Sequence, residues 1–85
     1  MTQYKEPVYQ ESIDDIHMAI RENLSADGRR WYNTSFVRRS GQGDQSKGFS
    51  TFSRRDLPTV RILADIAHAW ICQREIEDRN ELGQS

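Results

Sequence analysis

The chain has 85 residues, 35% of them hydrophobic and 29% charged, with a formal net charge of -1 at pH 7. So short a chain makes one domain at most and buries only about 60% of the surface its unfolded form exposes, so pairing with another copy is an economical way to enlarge the core. The single Cys72 excludes an internal disulfide, no apolar run approaches the roughly 20 residues of a membrane-spanning helix, and no signal-peptide layout is present; a cytoplasmic protein that stays off the membrane is expected.

The near-neutral total hides a segregated charge. Residues 27 to 61 carry eight Lys or Arg against three Asp, whereas 1 to 26 and 62 to 85 each carry two Lys or Arg against five Asp or Glu. A basic stripe interleaved with aromatic residues is the footprint of a polyanion-binding surface, most often for nucleic acid.

Residues 1 to 12 are polar apart from Tyr4, Val8 and Tyr9 around Pro7, and they read as an extended or disordered arm. From Ile16 the pattern has period 2, with Ile16, Met18 and Ile20 on one face and His17, Ala19 and Arg21 on the other, which predicts a strand. The competing reading is a helix capped within Ser12 to Asp15 and ending near Leu24, with a thin stripe of Ile13, Ile16 and Ile20. Asp27-Gly28 marks a turn, because glycine accepts the positive φ of tight connections. Trp31 to Arg39 is a second strand, with Tyr32, Thr34 and Phe36 on one face and Trp31, Asn33, Ser35 and Val37 on the other. Ser40 to Ser46 reads as a hairpin loop and Lys47 to Ser53 as a third strand, whose Phe49 and Phe52 point to opposite faces.

A long amphipathic helix is predicted to start between 54 and 58, capped by Ser53 or Asp56, with Pro58 tolerated near its start. Val60, Leu63, Ile66, Ala67, Trp70 and Ile71 form its packing stripe, and Arg61, Asp65, His68, Cys72 and Glu75 the opposite side. Fraying is expected after Arg79, with a disordered tail over 81 to 85. The fold class expected is therefore α+β: a small antiparallel sheet of three or four strands followed by one long C-terminal packing helix, within a single domain spanning 13 to 80.

The basic residues of this middle stretch fall in pairs, Arg29-Arg30, Arg38-Arg39 and Arg54-Arg55, with Lys47 and Arg61 nearby. Guanidinium groups hold phosphates bidentately, and aromatic side chains on a sheet stack bases. The candidate nucleic-acid-binding residues read from this stretch are Arg29, Arg30, Trp31, Arg38, Arg39, Lys47, Phe52, Arg54 and Arg55. Since neighbours in a strand point to opposite faces, only about half of this charge serves any one surface. His68 and Cys72, one helical turn apart, fall short of the four ligands of a structural zinc site. Ser40-Gly-Gln-Gly-Asp lacks the Gly-Lys-Ser/Thr ending of a phosphate-cradling loop, and no nucleophile is set beside a base. No enzyme activity, cofactor or metal is expected.

Thr51-Phe52-Ser53-Arg54-Arg55-Asp56-Leu57-Pro58 and Ala67-His68-Ala69-Trp70-Ile71 resemble a pattern of small uncharacterised bacterial proteins, Ser-Phe-x-Arg-x-Asp-Leu followed by Ala-His-x-Trp-Ile. Ile20-Arg21-Glu22 and Lys47-Gly48-Phe49-Ser50 are similar to strand segments of single-stranded DNA binders of the positive cofactor 4 type. In that family the two strands are neighbours in sequence, whereas here Trp31 to Arg39 intervenes. The similarity implies a dimeric, nucleic-acid-binding sheet with Arg21 and Lys47 as backbone contacts, which brings Arg21 into the candidate set. The function expected is non-catalytic binding of single-stranded nucleic acid through a basic, aromatic hairpin, in a homodimer joined through the C-terminal helix. The alternative is a small protein-interaction or regulatory module that docks an acidic partner surface.

Overall fold

The computed structural model describes residues 6–40 and 47–83. Four strands, β1 (Tyr9–Ile13), β2 (Ile16–Leu24), β3 (Arg30–Ser40) and β4 (Lys47–Phe49), precede one helix, α1 (Leu57–Gly83). The strands form one antiparallel sheet in the order β1-β2-β3-β4, as the α+β reading expects. The loop expected at 41–46 and the last two tail residues lie outside the described residues.

The period-2 pattern of β2 organises the molecule. Ile16, Met18 and Ile20 are buried beneath α1, while His17, Ala19 and Arg21 look the other way. Register carries that division to the neighbours, because directly paired residues share a face. Tyr9, Glu11 and Ile13 of β1 and Tyr32, Thr34, Phe36 and Arg38 of β3 are therefore on the helix side. Leu63 and Ala67 of α1 complete the buried core, and Val60, Ile66, Trp70, Ile71 and Phe52 pack against it.

Aromatic and ionic contacts fix the C-terminal half of α1. Trp70 stacks on Tyr9 with ring centroids 5.6 Å apart and meets Tyr32 edge-on at 5.8 Å. Arg74 lies over the Trp70 ring at 5.3 Å and pairs with Glu22 at 3.6 Å. At the other end, the Asp56 carboxylate accepts from the Ser53 backbone N–H at 2.9 Å and its hydroxyl at 3.0 Å, and pairs with Arg38 at 3.5 Å.

Three expectations are corrected. The arm through residue 12 ends earlier: Tyr9 to Ser12 belong to β1, because Tyr9 and Ile13 have apolar partners across the sheet and a two-residue Asp14-Asp15 turn closes the hairpin. Asp14 takes φ 55°, a left-handed conformation that Asp tolerates better than most residues. The third strand stops at Phe49, so Phe52 leaves the sheet and packs into the core. The helix does not end at Arg79 but continues to Gly83.

Candidate nucleic-acid interface

The sheet has one covered and one uncovered face. Across the uncovered face run Gln10 and Ser12 from β1, His17, Ala19, Arg21 and Asn23 from β2, and Trp31, Asn33, Ser35, Val37 and Arg39 from β3, with Gly48 from β4. None of these strand positions is an Asp or a Glu. The strand carboxylates, Glu11 and Glu22, are on the helix side, paired in register with Met18 and Tyr32.

Trp31 keeps 48% of its surface exposed, which is unusual for so large an apolar ring. Asn23 is directly opposite it and Arg21 is one diagonal step away. The Arg21 guanidinium donates to the Ser35 hydroxyl at 3.3 Å, so its chain lies along the sheet rather than away from it. Arg39 is exposed at the far end of β3, about 27 Å from Trp31 at roughly 3.4 Å per strand residue. Between the two, the Ser12 hydroxyl and His17 Nδ1 approach to 2.6 Å as a cross-strand pair. Gly48 shapes the β4 margin: a Cβ there would meet Val37 Cγ1 at 2.9 Å, so any larger residue would push Val37 out of place.

The ten residues singled out in the sequence are divided by this geometry. Arg21, Trp31 and Arg39 share the uncovered face. Arg30 and Arg38 are turned to the helix side and tie strands to α1: Arg30 bonds Asp78 at 3.0 Å, and Arg38 pairs with Asp56. Arg29 is in the β2–β3 turn beside Asp27 at 3.7 Å. Lys47 is the register partner of Ser40 at the β4 edge. Arg54 and Arg55 are exposed in the turn that enters α1. Phe52 is removed from any stacking role by its place against the core. The splitting of each arginine pair between faces thus holds for Arg38-Arg39.

Asp78 is absent from the residues expected at a site, yet its carboxylate accepts from both Arg30 and the Tyr32 hydroxyl, the latter at 2.9 Å. Burial, then the bond to Asp78, raise the Tyr32 phenol above its ordinary pKa, with Arg74 opposing. The signal was available: Trp70, Arg74 and Asp78 recur every four residues, and so continue the packing side of the helix with charge. His17 and Ser12 were likewise unmarked, since their pairing depends on register.

Among the described residues no group of three or more His, Cys, Asp or Glu side chains is placed to hold a metal ion, and no helix is long and apolar enough to cross a membrane. His68 and Cys72 approach to 3.4 Å on the outer side of α1. Compared with protein-family models, with curated proteins and with solved structures, the chain matches none.

Proposed function

We propose that this protein is a non-catalytic module that binds single-stranded nucleic acid across the uncovered sheet face. The observation that carries the reading is the composition of that face: an exposed Trp31 at one end, Arg21 one diagonal step along, Arg39 at the far end, amides and hydroxyls among them, and no carboxylate at any strand position of this face. A base stacks on Trp31, Arg21 and Arg39 take phosphates, and Asn33 and Ser35 meet base or sugar edges. Arg29, Lys47, Arg54 and Arg55 add positive charge at the rim and steer the approach of a polyanion. Arg30 and Arg38 serve the fold. A homodimer joined through α1 completes the reading, and a reducing cytoplasm suits the free Cys72.

The test is fluorescence anisotropy of a labelled single-stranded oligonucleotide at about 50 and 200 mM salt, where counterion release makes phosphate binding fall steeply. Trp31→Ala should weaken binding roughly tenfold, since base stacking contributes about 1–3 kcal/mol. Arg39→Ala should weaken it and flatten the salt dependence, while Arg38→Ala lowers the melting temperature with little change in affinity. Absence of binding at micromolar protein in low salt, or unchanged binding by Trp31→Ala, overturns the proposal. Salt-dependent binding of acidic peptides in place of oligonucleotides would instead assign the face to an acidic protein partner.

A further inference from the structure

Beside its packing side, α1 carries a second, largely apolar stripe, of which only Ile66 packs on the core. Ile62, Ile66, Ala69, Gln73, Ile76 and Asn80 recur at spacings of four and three, the 3.5-residue period by which one helix seats another. Ile62 and Ile76 are 47% and 45% exposed, Ala69 between them is exposed and small, and Ile66 links the stripe to the core. Asp65 and Arg79 flank it on one side, one turn of the repeat before and after Cys72.

We infer that a second copy of this chain docks on this stripe with the two helices antiparallel and a two-fold axis passing beside Cys72. The inference rests on the homodimer reading and specifies its geometry. In that register Ile66 meets Ile76 of the second copy, Ala69 meets Gln73, and Asp65 meets Arg79, each pairing occurring twice by symmetry. The charge pattern is self-complementary only in this direction. A parallel pairing would leave Asp65 and Arg79 about 20 Å apart along the axis, at roughly 1.5 Å per residue.

The wheel positions also fix where the second copy sits. Asp78 faces β3 through Arg30 and Tyr32, Trp70 faces β1 through Tyr9, and the stripe continues round the helix in the same sense. At about 100° per residue its centre is roughly 120° round the helix from the mean direction of Leu63 and Ala67, beyond the β1 edge. A two-fold relating antiparallel helices side by side is normal to their plane. Both uncovered sheet faces then point the same way, and the two β1 edges face each other. The dimer thereby offers one extended surface with two Trp31 rings rather than two opposed ones.

Sedimentation equilibrium on the full chain, with short-armed bis-maleimide cross-linking at the native Cys72, tests the geometry. The expected result is a dimer that cross-links through Cys72. Asp65→Arg or Arg79→Asp alone should weaken dimerisation roughly tenfold, because each creates two like-charge contacts, and the double exchange should restore it. Ile62→Asp should give a folded monomer by circular dichroism, since Ile62 is exposed in the single chain. A wild-type monomer at every concentration overturns the geometry and the homodimer reading together. A dimer indifferent to the single charge changes and not linked at Cys72 overturns this geometry alone. Oligonucleotide binding is read separately by anisotropy and survives either outcome.

Discussion

Asp56 shows how much one side chain secures in so small a protein. Its carboxylate gathers the Ser53 N–H, the Ser53 hydroxyl and the Arg38 guanidinium, joining the entry to α1 with the far end of β3. The Ser53 backbone N–H is the largest effect and, with the Ser53 hydroxyl and Arg38, holds the carboxyl below the usual Asp range, although burial, second in size, works the other way. Because the folded-state pKa is lowered, the stabilisation is complete above the ordinary carboxylate value, about 3.9, and is lost as pH falls through the lower folded value. Asp56→Asn should therefore lower the melting temperature by several degrees at neutral pH. The gap to wild type should close as pH falls below about 4, which thermal melts across pH 2 to 7 would show. Gly28 is a second such point, at φ 87° in the β2–β3 turn, where its N–H donates to the Ser25 carbonyl at 3.0 Å. Alanine there should cost about 1 kcal/mol in urea unfolding, although nothing crowds its Cβ.

At the level of elements, β2 and α1 were legible because each repeats a pattern long enough to announce its period. Ile16, Met18 and Ile20 alternate, and Leu63, Ala67, Trp70 and Ile71 recur on one helical side. β1 was not legible, since Gln10, Glu11 and Ser12 are polar on both faces and only Tyr9 and Ile13 mark the strand. Its place depends on a ring that arrives sixty residues later, Trp70, and no local pattern encodes that contact. The division of the arginines follows the same logic. Alternation within β3 separates Arg38 from Arg39, but only the docking of α1 makes the Arg38 side the inner one. Replacing Leu63 with Ala, under an otherwise complete core, should cost about 3 kcal/mol, and Asp78→Ala, at the helix's other anchor, about 1 kcal/mol. Urea midpoints measure both. An Asp78→Ala loss as large as that of Leu63→Ala would show that the ionic anchor, rather than the apolar stripe, holds the helix.

The molecule as a whole is flat, 51 × 34 × 17 Å, with a radius of gyration of 15.5 Å against about 12 Å for a compact domain of this length. One helix on one sheet leaves few places for a side chain to escape water, and five residues are fully enclosed among those described: Ile16, Met18, Ile20, Leu63 and Ala67. Such a shape gives a broad surface for its mass, as the proposed binding platform would need, and leaves room for the proposed second copy to add core. It also distributes protection unevenly. β2 is flanked by β1 and β3 and roofed by α1, whereas β1 and β4 are edges. Three of its helix-side residues, Ile16, Met18 and Ile20, are the buried strand residues. Solvent reaches the β2 amides only when a neighbouring strand and the helix part together, and in a core of five side chains that event is unfolding itself. In deuterium the amides of Met18 to Ile20 should exchange last, at a rate that reports the global stability directly, while those of β1 and β4 exchange through local opening.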